Sequence, residues 1–128
     1  MTHGETRAIR LWAVGAATLT SAVGLFGRSV PIAGNALGGI AYAVLIALIV
    51  AIVWPAVRPL VAAAVGLGVS IAVELLQLTA IPGVLTDAIP PLRWVLGSTF
   101  LWVDLLWYVV GAVVAWMLVV TIQRHVRA

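Results

Sequence analysis

The sequence predicts an all-α membrane protein: a bundle of four transmembrane helices with a partly embedded loop between the third and fourth. Composition is the first observation behind this. Of 128 residues, 64% are hydrophobic and only 9% charged, with a mean hydropathy of +1.21. A soluble domain has about 45–50% apolar and 25% charged residues, which it needs to cover a water-facing surface. The second observation is length. Four apolar stretches, about residues 9–26, 35–57, 60–80 and 100–123, each match the roughly 17–25 residues that cross a bilayer as a helix. The third is that the seven arginines, with no lysine among them, stand mostly at the ends of those stretches. One transmembrane domain over residues 1–128 is the natural count.

The first stretch, Ile9 to Phe26, follows Arg7 and Arg10. A signal peptide also pairs a basic start with an apolar run, but this run is longer than its usual apolar core. A retained helix is the preferred reading. Gly15, Thr18 and Ala22 fall at helical spacing and would let a neighbouring backbone approach closely. Pro31 and Gly34 break the chain before the second helix, whose start carries Asn35, Gly38 or Gly39, and Tyr42 on one face. Arg58-Pro59 makes the next turn.

The third stretch has an internal pattern. Gly66, Ser70, Glu74 and Gln77 recur at helical spacing and draw one small-and-polar stripe down an apolar helix. Asp104, Tyr108, Gly111 and Ala115 draw a matching stripe on the fourth, so the two faces are expected to meet. Between them, residues 81–99 are too apolar to float in water, and Pro82, Pro90 and Pro91 forbid one continuous helix. That segment is expected to lie in the interface or to dip back toward the bundle.

Several chemistries are excluded at this point. There is no cysteine, so no disulfide, thiolate metal site or cysteine nucleophile exists. The two histidines, His3 and His125, are terminal with no second ligand at metal spacing, so neither a metal nor a cofactor is expected. The net charge of +3 comes from scattered arginines, which read as topology determinants and not as a nucleic-acid surface. Trp12, Trp54, Trp94, Trp102 and Trp107 stand near helix ends, as an interfacial aromatic belt does, and Trp116 lies deeper.

Four spans place both termini on one side. That side, with the Arg58 turn, holds Arg7, Arg10, Arg58, Arg124 and Arg127; the other holds Arg28 and Arg93. The positive-inside rule then puts both termini in the cytoplasm of a multi-pass bacterial inner-membrane protein. Arg28, Asn35, Glu74, Gln77, Asp87, Arg93 and Asp104 consequently gather in the outer half of the membrane or just above it, with Tyr108 a turn below Asp104. These are the candidate ligand-binding residues. An acid at a helix centre costs about 2.5–3.5 kcal/mol on insertion scales, so it persists where it faces a protein interior, a wet cavity or a partner charge. Each also has a plainer reading. Glu74 and Gln77 could be interhelical hydrogen-bond glue. Asp104 sits where a helix dipole favours an acid anyway, and Asp87 is in a loop that would be solvated. Arg28 could be an interfacial anchor.

The run VELLQL, the loop IPGVLTDAI and above all LGSTFLWVDLLWYVVG resemble the uncharacterised bacterial membrane family named domain of unknown function 2809. GLFGR at Gly24–Arg28 and AGNAL at Ala33–Leu37 resemble its two earlier motifs. The resemblance covers about Gly24 to Ala115 and implies importance for Arg28, Glu74, Gln77, Asp87, Asp104 and Gly111. Two departures stand out: Asn35 where that family has Asp, and Pro90 where it tends to have Arg, with Arg93 three residues on. The Glu-x-x-Gln followed by a later Asp and Gly is also, more loosely, similar to VanZ-like proteins.

The preferred functional expectation is a non-enzymatic cell-envelope protein with an outer-leaflet polar site. A membrane lipid or polyprenyl-linked headgroup would sit on Arg28 and Arg93, with the acids setting its orientation. Two alternatives stay open. One is a membrane subunit of a homo-oligomer or of a larger complex, its polar stripe meeting a partner helix. The other is a membrane-embedded enzyme with Glu74 and Asp104 as acid and base.

Overall fold

Thr2 and Glu5 start the first helix reciprocally. The Thr2 backbone N–H donates to Glu5 Oε2 at 2.8 Å, and the Glu5 N–H donates to Thr2 Oγ1 at 3.1 Å. This is a capping box, and it sets α1 at His3–Gly27, six residues earlier than apolarity alone suggested. The computed structural model describes residues 1–27, 29–30, 34–93 and 102–128. Those residues are helical apart from the turns and termini: after α1 come α2 (Gly34–Val53), α3 (Pro59–Leu76), α4 (Ile81–Ala88), a single 3-10 turn (Pro90–Leu92) and α5 (Trp102–Arg127). Four of these helices, α1, α2, α3 and α5, are long and apolar enough to cross a membrane.

Helix ends follow the prolines. The second helix was expected to reach residue 57, but α2 stops at Val53 because Pro55 removes an N–H and disfavours helical backbone at Trp54. Arg58 takes an extended ψ of 133° ahead of Pro59, which opens α3 at its first position. The third helix was expected to run to residue 80; it ends at Leu76, with Gln77 as its cap.

Helices α2 and α5 form the central pair, each in contact with the other and with both α1 and α3. Their meeting surfaces are made of small residues. Ala43, Ala47, Ala62 and Ala115 are all fully buried, and between membrane helices such residues let backbones close on one another. A Cβ placed on Gly66 of α3 would stand 2.6 Å from the Ala43 carbonyl oxygen of α2. One placed on Gly111 of α5 would stand 2.7 Å from the Ile40 carbonyl oxygen and 2.9 Å from Ala43 Cβ. Thus α3 and α5 both close on the same turn of α2. The large apolar side chains Leu19, Phe26, Leu60 and Trp102 point outward, as lipid-facing residues do.

At the end of the bundle that carries the termini, Gln123 of α5 clamps the α2–α3 turn. Its buried Nε2 donates to the Pro55 carbonyl at 3.2 Å and to the Val57 carbonyl at 2.7 Å. Both acceptors belong to a proline-rich turn with few backbone donors of its own. Gln123→Leu is expected to cost about 1–3 kcal/mol, because buried carbonyls lose their partner. The readout is the melting temperature in detergent. An unchanged value would mean that these carbonyls are satisfied without Gln123. Two further contacts tie α1 into this end. Arg10 Nε donates to the Ile52 carbonyl at 2.9 Å, and the Trp12 and His125 rings meet edge to face at 5.2 Å.

The segment after α3 is not a structureless loop. It folds into α4 and the 3-10 turn, both mostly exposed, with Ile81, Val84 and Ile89 at least half exposed. An exposed apolar helix of this kind suits a membrane interface. Residues 94–101, which include Trp94 and the Gly97-Ser98-Thr99 part of the last motif, lie outside the described residues, as do Arg28 and the Pro31 break.

Candidate functional site

The site is built from the two stripes where they rise away from Ala43. On α3, Gly66, Ser70 and Glu74 are all buried, and Ser70 Oγ donates to the Gly66 carbonyl at 2.7 Å. The hydroxyl is thereby satisfied within its own helix, and the next turn delivers Glu74. Its carboxyl is 1% exposed. On α5, Asp104, Tyr108 and Gly111 face the same way, and the Tyr108 hydroxyl donates to Glu74 Oε2 at 2.8 Å. Asp104, half-buried one turn above Tyr108, lies close enough to Glu74 for the two acids to interact electrostatically.

The two acids sit in opposite helix fields. Asp104 is in the first turn of α5, where the backbone dipole favours negative charge. Glu74 is in the last turn of α3, where the dipole opposes it. A pair drawn from one helix start and one helix end gives a hydrogen-bond donor two unequal acceptors.

A third helix joins this site through a residue that sequence reading placed on a face but did not count as a site residue. The Tyr42 ring of α2 lies 6.2 Å from that of Tyr108, tilted by 47°. A Cβ placed on Gly39, one turn before it, would stand 2.8 Å from the Trp107 Cβ, so the glycine lets α2 and α5 come close enough for the tyrosines to touch. The available signal was the turn spacing from Gly38 and Gly39 to Tyr42. On its other side Tyr42 lines a shallow cavity of about 180 Å³ between α1 and α2, with Thr20, Ser21, Gly24 and Gly38. Contacts thus run from Glu74 through Tyr108 to Tyr42, which borders this cavity, and involve all four long helices.

The remaining candidates are placed differently. Gln77 caps α3 one turn beyond Glu74 and is half-buried. Asp87 is exposed on α4, and Arg93 is exposed just after the 3-10 turn. Among the described residues no ion pair joins Arg93 to Glu74 or Asp104. Arg28 and the Asn35 side chain lie outside the described residues. Among those described, no group of three or more His, Asp or Glu side chains could hold a metal ion.

A family model described as a protein of unknown function, DUF2809, matches residues 30–112. The chain belongs to the DUF2809 family. The matched region runs from before α2 to the middle of α5, so it contains Tyr42, Glu74, Gln77, Asp87, Arg93, Asp104 and Tyr108. The start of the DUF2809 match excludes the GLFGR motif and Arg28, and its end excludes Gln123. No curated protein and no solved structure matches the chain.

Proposed function

We propose that this DUF2809 protein is a non-enzymatic envelope protein that holds an outer-leaflet lipid or polyprenyl-linked molecule by its polar headgroup. The polar cluster of Glu74, Asp104 and Tyr108 receives the headgroup, through Asp104, which is partly exposed while Glu74 and Tyr108 lie buried behind it. One observation carries the reading: an acid that is 1% exposed is built into a three-helix junction and held there by a phenol, with a second acid nearby. Acids at membrane depth are costly and are kept mainly where they face a pathway or a bound group. Carboxyl oxygens accept hydrogen bonds from hydroxyls, so a hydroxyl-rich headgroup is the matching chemistry. The cavity between α1 and α2 would take the start of the attached chain, with Tyr42 at the junction of polar and apolar parts.

This reading differs from the sequence expectation in which groups touch the ligand. Asp104 of the polar cluster makes the contact, and exposed Arg93 stands outside it. Mass spectrometry of lipids retained after purification tests it. Wild type should retain one lipid class that Glu74→Gln and Asp104→Asn both lose. Identical lipid profiles in all three proteins would overturn it. The proximity of Glu74 and Asp104 also favours a second reading, an acid–base pair of a membrane-embedded enzyme. Chemical turnover of the retained lipid, abolished by either variant, would decide for that alternative.

The termini are proposed to face the cytoplasm, on the five-to-two arginine split. With no native cysteine, single-cysteine labelling reads this directly. A cysteine at Val84 should react with an impermeant thiol reagent on intact cells, and one at His125 should not. The reverse pattern would invert the topology and move the acid cluster to the inner leaflet.

A further inference from the structure

At the opposite end of the bundle from the acids, a cavity of about 420 Å³ opens between the start of α3 and the end of α5. It is lined by Pro59, Val120, Gln123, Arg124, Arg127 and Ala128. We propose that this cavity is a binding site for the headgroup of an anionic phospholipid, held by Arg124 and Arg127. The site is separate from the acid cluster and does not depend on its function.

Arg124 and Arg127 are three residues apart on α5, so they project from neighbouring positions on one helix face. Both line the cavity, and among the described residues neither makes an ion pair. The acid on α1 at this end, Glu5, accepts from the Thr2 backbone N–H in the capping box and also feels the charge of Arg127 without forming an ion pair with it. No acidic side chain lines the cavity. Neither arginine is held in an ion pair among the described residues, though Arg127 feels Glu5 and the Ala128 terminus lines the cavity. Two forked guanidinium groups suit phosphate oxygens, which accept parallel hydrogen bonds from them.

The apolar part of the lining favours a lipid over a free phosphate. Val120 lies one turn nearer the middle of the membrane than Arg124, so the cavity changes from charged to apolar along the membrane normal. That order matches a phosphate followed by its glycerol and acyl chains. The wall is rigid where it needs to be, because Gln123 is pinned by the Pro55 and Val57 carbonyls. The volume falls within the about 300–1,000 Å³ of ordinary ligand sites.

The test uses full-length protein in nanodiscs of mixed phosphatidylglycerol and phosphatidylcholine. Lipids that stay bound after detergent extraction are quantified by native mass spectrometry. Wild type should retain the anionic lipid over the zwitterionic one. Each of Arg124→Gln and Arg127→Gln should cut that preference about fivefold, the effect of one basic residue at a membrane surface. Arg7→Gln, which removes a charge from the same end but not from the cavity, should leave it unchanged. Arg124→Lys with Arg127→Lys, which keeps both charges but not the forks, should retain a preference between those of wild type and the glutamine variants, which guards against misfolding of the latter. Equal loss in the Arg7 variant would reduce the effect to overall charge and overturn the site. No preference in wild type would overturn it as well. A complex with inorganic phosphate in lipid-free detergent, without lipid preference, would make the ligand a free anion and overturn the lipid assignment. Glu74→Gln should leave the preference unchanged, which separates this site from the acid cluster.

Discussion

Gly66→Ala is expected to destabilise the protein by about 1–3 kcal/mol, the usual cost of forcing extra atoms into a packed core. The added methyl would lie 2.6 Å from the Ala43 carbonyl oxygen and 3.3 Å from Ala47 Cβ. Neither neighbour is a flexible side-chain tip, so α3 itself must move off α2. Because Glu74 is two turns along the same helix, that displacement also loosens its bond to Tyr108. Gly68→Ala is the control. Its side faces open space, so it should be neutral, or stabilising by up to about 1 kcal/mol from helix propensity. Melting temperatures in detergent read both. Equal behaviour of the two variants would mean that α2 and α3 do not approach this closely. Gly111→Ala, aimed at the Ile40 carbonyl, should resemble Gly66→Ala.

Glu74→Ala is expected to cost about 2–4 kcal/mol, from the cavity it leaves and from the buried Tyr108 hydroxyl that loses its acceptor. Glu74→Gln keeps a carbonyl oxygen for Tyr108 and should cost less than half of that. Glu74→Met fills the space without polarity. Removing a buried polar network together with its partner can be neutral, so Glu74→Met with Tyr108→Phe should recover most of the loss. A double-mutant cycle between positions 74 and 108 reads the coupling, which for membrane hydrogen bonds averages about 0.6 kcal/mol and reaches about 1.7. Zero coupling would contradict the bond between them. Additive losses in the rescue pair would show that Glu74 is held by groups other than Tyr108.

Much of the site was legible because membrane burial makes polar residues conspicuous. Glu74 and Asp104 stand out in apolar helices, and their spacing to Ser70, Gly66, Tyr108 and Gly111 sets one face on each helix. The structure joins those faces at the Glu74–Tyr108 bond. Lower down the expectation needed amending: Gly66 and Gly111 press on Ala43 and Ile40 of α2, so a third helix stands where the two stripes were expected to meet directly. The early start of α1 was also readable, since Thr2 and Glu5 carry the capping-box spacing. Apolarity, the measure used, does not register caps.

Sequence by itself determined that the chain is an all-helical membrane protein, roughly where its spanning helices lie, and which residues are too polar to be idle there. The physical reason is that the bilayer constrains length and composition directly, residue by residue. Tertiary structure alone decided the neighbours. Beyond the Gly38/Gly39–Tyr42 spacing, helix α2 is almost wholly apolar, so nothing in it announces that Ala43 receives two glycines or which ring Tyr42 meets. Gln123 looked like an ordinary polar residue near a helix end until the fold carried the Pro55–Val57 turn to it. Periodicity tells which way a side chain points from its own axis, and only packing tells what it meets.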